Sequence, residues 1–124
     1  MSKVDFYYCE KCGNMITVIE NGGGTLSCCG QEMTKLHANT TDASKEKHVP
    51  EVIKEDGVLT VKVGSVLHPS LPEHYIKWIA LATEDKVWIS YLKPGMEPIA
   101  VFPEVETGTV YEYCNLHGLW KADF

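Results

Sequence analysis

Residues 58–66 read VLTVKVGSV, and the alternation inside them decides the fold. Leu59, Val61 and Val63 fall on one side of an extended chain and Thr60 and Lys62 on the other, the period-two pattern of a strand with one face in a core. The runs that follow repeat the theme: HYIKWIALAT at 74–83, KVWISYL at 86–92, PIAVF at 98–102 and TVYEYC at 109–114. TEDK, KPGMEP and ETG separate them, and no stretch holds a helical period through three turns. The chain is therefore mainly β, and its larger part is expected to form an antiparallel sandwich of about seven strands in the immunoglobulin-like architecture class. Trp78, Trp88 and most of the tyrosines are read as core and rim of that sandwich.

Upstream of these runs the polar segment HANTTDASKEK, residues 37–47, has no apolar periodicity and reads as a linker. It sets the expected division into domains of residues 1–37 and 38–124. His37, at its start, is read as solvent-exposed. The first 29 residues hold four of the five cysteines, in CEKC and SCCG. NMITVIENGGGTL, between them, reads as a strand, a glycine turn and a second short strand. No Lys-Ser/Thr follows Gly22–Gly24 and no helix opens there, so a plain hairpin turn is expected in preference to a phosphate-binding loop. A unit of this size cannot bury a useful core and needs a metal to hold it.

Composition narrows the functional classes. The 124 residues are 44% apolar and 23% charged, as in a soluble globular protein. The N-terminus has no apolar run of signal-peptide length and no segment approaches a membrane span, so a cytoplasmic protein with no membrane partner is expected. The net charge is −6 and all 11 basic residues are lysine, which argues against nucleic acid as a partner. Five cysteines, an odd number, without an export signal point to metal ligands instead of disulfides.

Cys9, Cys12, Cys28 and Cys29 supply four thiolates, a donor set for tetrahedral zinc or iron. Cys28 and Cys29 are adjacent, and two neighbouring side chains reach one centre only if the backbone bends or the tetrahedron distorts. A set of four sulfurs leaves no open position, so electron transfer or structural support is its expected use. Cys114 stands three residues before His117 in YCNLHGLWK, and His68 and His74 flank the proline-containing loop PSLPE. With His48, from EKHVP, these make four imidazoles and one thiolate on loops of one β domain. That set does not suit tetrahedral zinc; it suits a redox-active ion, iron above all, with five protein ligands and one open position. A thiolate opposite that position would push electron density through the metal toward a small oxygen species.

The motifs YCEKCG, CCGQEM, KEKHVP, LHPSLPEHYIKWI and YCNLHGLWK together closely resemble desulfoferrodoxin, the two-iron form of superoxide reductase, over nearly the whole chain. The resemblance implies a desulforedoxin-like domain with iron on Cys9, Cys12, Cys28 and Cys29. It implies a second, catalytic iron on His48, His68, His74, His117 and Cys114 in the immunoglobulin-like domain. It further implies reduction of superoxide to hydrogen peroxide, with Lys47 attracting the anion and Glu46 closing the sixth position once the iron is ferric. A rubredoxin-like electron donor and a homodimer are also implied. Two other classes compete with this reading: an electron carrier whose histidine site is structural, and a zinc-stabilised interaction module.

Overall fold

The structure, a computed structural model, describes residues 4–124, and these fall into two units, residues 4–37 and Ala38–Phe124. In the first unit β1 (Phe6–Tyr8) lies between β2 (Met15–Thr17) and β5 (Thr34–Lys35), while β3 (Ser27–Cys28) pairs with β4 (Gln31–Glu32). The hairpin expected across Gly22–Gly24 does not form, because β2 pairs with β1 and β3 with β4. Shorter loops win on closure entropy. β1 and β2 close around the Cys9–Gly13 turn, and β3 and β4 close through Cys29 and Gly30, both at positive φ (53° and 77°), the backbone of a two-residue hairpin turn. The buried apolar side chains of this unit are Phe6, Cys9 and Met33 among the described residues. Three side chains are too few to offset the ordering of some thirty residues, at about 1–2 kcal/mol of backbone entropy each.

In the second unit a single helical turn, α1 (Lys45–His48), leads into seven strands. These are β6 (Pro50–Glu55), β7 (Val58–Val63), β8 (Ile76–Ala82), β9 (Val87–Tyr91), β10 (Ile99–Pro103), β11 (Thr109–Cys114) and β12 (Gly118–Asp123). They form two antiparallel sheets, ordered β10-β7-β6 and β12-β11-β8-β9. Leu59, Val61 and Val63 of β7 are fully buried and meet Ile79, Leu81 and Val110 from the other sheet. Each such side chain contributes about 1.5–3 kcal/mol by leaving water. Trp88 packs against this core, whereas Trp78 stacks on Tyr113 at 6.1 Å on the opposite face of its sheet.

Strands β6 and β12 were not among the runs read as strands. The segment read as a linker is partly ordered as well: Asn39 donates its backbone N–H to the Leu119 carbonyl, and its side-chain amide exchanges two hydrogen bonds with Lys121 of β12. Its last residues form α1. The registers Pro50↔Val63 and Ile76↔Cys114 place the start of β6 beside the end of β7, and the start of β8 beside the end of β11. The chain segments that carry His48, His68, His74, Cys114 and His117 all adjoin these strand ends.

Candidate metal centres

The sulfurs of Cys9, Cys12, Cys28 and Cys29 all lie within 4.8 Å of one another. Cys9 and Cys12 sit on a turn closed by Cys9 N–H to the Asn14 carbonyl (2.8 Å) and Gly13 N–H to the Cys9 carbonyl (2.9 Å). The Cys12–Cys28 and Cys28–Cys29 sulfur separations are 3.6 and 3.9 Å. Metal–sulfur bonds of about 2.3 Å in a tetrahedron put sulfurs about 3.8 Å apart. The adjacent cysteines therefore meet a common centre with a near-regular edge, and the backbone takes up the bend at Cys29, φ 53°.

The thiols also have the electrostatics of a site that a cation completes. The Cys12 backbone N–H, foremost, lowers the Cys9 pKa to about 6. Hydrogen bonding to Cys12, and then to Cys28, pushes Cys29 up to about 12. Cys9 thus leans toward the thiolate while Cys28 and Cys29 lean toward the thiol, whose protons the binding of a metal dication would release.

In the second unit the ligand atoms of His48, His68, His74 and Cys114 lie within 4.8 Å of one another, and His117 Nδ1 is 3.1 Å from His48 Nε2. The four rings form a square. Successive neighbours in the order 48, 68, 74, 117 have centroids 4.8, 4.6, 5.1 and 4.9 Å apart and stand nearly perpendicular, whereas His48 and His74 face each other at 6.5 Å. Cys114 Sγ is 3.4 Å from His68 Nε2 and 3.8 Å from His117 Nδ1, donors on the other diagonal, so the sulfur sits over the square and not beside one edge. Bonds of about 2.1 Å to nitrogen and 2.3 Å to sulfur place right-angled donors about 3.0–3.1 Å apart. The 3.1 Å between His117 Nδ1 and His48 Nε2 meets this spacing, while the sulfur at 3.4 and 3.8 Å stands somewhat farther off, as the apex of an elongated square pyramid of donors.

The tautomers are set by partners that can only accept. His48 Nδ1–H donates to the Ser44 carbonyl and His68 Nδ1–H to the Pro69 carbonyl, each at 2.7 Å, which leaves both Nε2 lone pairs for a metal. His74 Nε2 is buried without a protein partner, as a ligand nitrogen facing a metal would be. Burial is the first cause that lowers the pKa of His48, His68 (to about 4) and His74, with neighbouring positive charges adding to it. Neutral imidazoles are the form that binds metal. Cys114 is fully buried; burial raises its pKa, with the carboxylate of Glu112 adding to the shift. These residues fit iron: imidazole and thiolate donors in an arrangement that suits five-coordination.

Local structure aims each donor. Cys114 follows a register irregularity between Tyr113 and Cys114 in the β11–β8 ladder, a bulge that re-aims the strand end. His48 closes α1, whose Glu46 carbonyl accepts from Val66 N–H (3.0 Å) and the Ser65 hydroxyl (3.3 Å). Gly64 lets this turn approach, since a Cβ there would lie 2.5 Å from the Glu46 carbonyl oxygen. Lys47 is exposed, and its charge contributes to lowering His48 and His74, after burial and the other histidines. Glu46 is exposed and lines an open cavity of about 300 Å³ with Lys45, Val49, Pro50, Glu51 and Ser65, outside the square. His37 is exposed and belongs to neither cluster.

Three neighbours of this centre escape the reading of the sequence. Trp120, 1% exposed, stacks on His48 at 5.0 Å and donates Nε1–H to the His117 carbonyl. Asn115 links the loop of His74 to the turn between Cys114 and His117. Glu112 is wholly buried two residues before Cys114 with no partner for either oxygen, and burial raises its pKa well above the usual carboxylate range. Trp120 and Asn115 left a signal, since both lie in YCNLHGLWK, a run already of interest.

Comparison with known proteins agrees with this geometry. The family described as Desulfoferrodoxin matches residues 40–123, and the one described as Desulfoferrodoxin, N-terminal domain, matches residues 1–36. A desulfoferrodoxin of Desulfarculus baarsii is 49% identical over 122 residues, covering 98% of this chain and 97% of the relative. A superoxide reductase of Pyrococcus abyssi is 35% identical over 111 residues, covering 73% of this chain and 96% of the relative. Among solved structures, the superoxide reductase of Treponema pallidum superposes with a TM-score of 0.79 at 32% identity, covering 97% of this chain and 98% of that one. Two metal-binding donor sets of the right chemistry, on a chain matched along nearly its whole length, place this protein in the desulfoferrodoxin family.

Proposed function

We propose that this chain is a superoxide reductase, in which one superoxide anion, one electron and two protons give one hydrogen peroxide. Iron held by His48, His68, His74, His117 and Cys114 would supply that electron. The observation that carries the reading is the square of four imidazoles beneath a buried cysteine sulfur, a donor set with one coordination position to spare. Similarity to proteins named superoxide reductase supports it.

The chain's own residues then have assigned tasks. Residues 1–37 form the desulforedoxin-like domain with iron on Cys9, Cys12, Cys28 and Cys29, and residues 38–124 the catalytic domain. Lys47, an exposed cation next to His48 in the chain, draws the superoxide anion to a chain of net charge −6 and stabilises the negative charge that grows on the reduced oxygen. It also orients the water that delivers a proton. Glu46, one residue earlier on the same turn, is the carboxylate that would take the position the five donors leave spare and so favour release of product, by turning in from the open cavity that it lines. Burial of Cys114 keeps its sulfur from competing reactions with solvent. The electron is restored by a rubredoxin-like carrier, and the enzyme works as a cytoplasmic homodimer in superoxide detoxification.

The test is the yield of peroxide per superoxide consumed, on anaerobically purified protein with excess reduced donor. One peroxide per superoxide supports the reading. One peroxide for two superoxides would make the chain a dismutase, and no consumption would leave an electron carrier or a structural metal protein.

A further inference from the structure

His74 is held differently from two of its companions in the square. The rings of His48 and His68 are each fixed by an Nδ1–H to a backbone carbonyl, whereas the His74 ring makes no hydrogen bond to a protein group among the described residues. Its backbone is held instead. His74 and Leu71 exchange N–H to carbonyl bonds of 2.9 and 3.0 Å, and the residues on either side of His74 are gripped by one side chain. Asn115 Nδ2–H donates to the Glu73 carbonyl at 3.0 Å, and Asn115 Oδ1 accepts from Tyr75 N–H at 2.9 Å. The Asn115 backbone N–H adds a third bond, 3.2 Å, to the Tyr75 carbonyl.

Asn115 itself lies on the three-residue turn between Cys114 and Gly118, next to one ligand and two residues before another. Its planar amide thus ties the segment of His74 to the segment of Cys114 and His117, three of the five donors. From this geometry we infer that Asn115 is the positioning residue for His74, setting that imidazole against the Cys114 sulfur. The inference rests on the reading of this cluster as an iron centre. Asparagine suits the task because the two partners demand opposite groups, a donor toward a carbonyl and an acceptor toward an N–H, at one fixed separation. Aspartate keeps only the second of these bonds and alanine neither.

The experiment compares iron-loaded full-length Asn115→Ala and Asn115→Asp with the parent and with Asn39→Ala. Asn39 is a matched control, since its amide also makes a donor and an acceptor bond to backbone, but to Lys121. The readouts are iron affinity of the histidine–cysteine centre by chelator competition, its thiolate-to-ferric charge-transfer absorption, and thermal stability. Loss of an outer partner of a ligand typically weakens metal affinity about 10- to 100-fold. Asn115→Ala is expected to show that loss with a shifted or broadened absorption, Asn115→Asp a smaller one, and neither to change the four-cysteine centre. Asn39→Ala is expected to lower thermal stability comparably and leave affinity and absorption unchanged. Asn115 variants with parental affinity and absorption would overturn the positioning role, whatever their melting temperatures. A parent protein that holds no iron at this cluster would instead refute the reading of the centre, and the inference with it.

Discussion

Gly64→Ala tests how closely the catalytic turn is seated. A Cβ built at Gly64 would meet three backbone atoms: the Glu46 oxygen at 2.5 Å, the Val49 oxygen at 3.0 Å and the Lys47 carbonyl carbon at 3.1 Å. None is the tip of a flexible side chain, so the clash cannot be relieved by a rotamer change. Restoring an ordinary contact of 3.4 Å to the Glu46 oxygen requires that α1 and the Val63–Val66 segment part by about 0.9 Å. This breaks or lengthens the two hydrogen bonds from Ser65 and Val66 to Glu46 and carries Lys47 and His48 away from the square. Overpacking of this kind costs about 1–3 kcal/mol, and a misplacement near 1 Å at a reacting centre costs about 100-fold in rate. The assay is the second-order rate constant for superoxide loss on iron-loaded protein at low ionic strength, with iron content and thermal midpoint measured on the same sample. A fall of about 10- to 100-fold is expected, with the midpoint lower by at least about 4 °C. A variant with parental rate and midpoint would refute the argument that the absence of a side chain at Gly64 seats the turn.

Three further outcomes are expected. Lys47→Ala should retain iron but lower the second-order rate about three- to tenfold at low ionic strength, with the difference shrinking as salt is added; a rate unchanged at low salt would remove the steering role. Cys114→Ser should leave some metal on the histidines yet largely abolish superoxide reduction, measured by anaerobic single-turnover mixing, and full activity would disprove the part given to the thiolate. Chelation of the four-cysteine metal should release residues 4–37 from their fold, seen as loss of amide protection confined to that segment, because Phe6, Met33 and Cys9 are the buried apolar side chains described there. The sandwich, with its own core around Leu59, Val61 and Ile79, should keep its protection; equal loss in both units would contradict this difference in support.

The sandwich was legible because strand alternation is a local property. A side chain that must face a core recurs every second residue whatever its partner, and Leu59, Val61 and Val63 carry that signal unaided. The same locality hid two strands. β6 begins at a proline and ends in exposed Lys54 and Glu55, and β12 mixes Gly118 and Lys121 with its apolar residues, so neither alternates cleanly. Asp56-Gly57, a hairpin turn signal at the end of β6, was the clue available in the first case. In the smaller unit the glycine run at 22–24 was the stronger local signal and the wrong one, because pairing went to the strands with the shorter loops.

The candidate site divides along the same line. Which residues could hold a metal follows from side-chain chemistry, so the four cysteines near the N-terminus and the later histidines with Cys114 were readable as donor sets from type and spacing. That the imidazoles stand in a square with the sulfur over it, that Trp120 stacks on His48, and that Asn115 grips the peptide groups around His74 depend on residues up to 72 positions apart meeting at one end of two sheets. The sequence by itself determined the donors, the β class and the need of the first unit for a metal. Only the tertiary structure decided their geometry, because orientation is set by long-range backbone pairing and by close approaches such as that at Gly64, which no local pattern encodes.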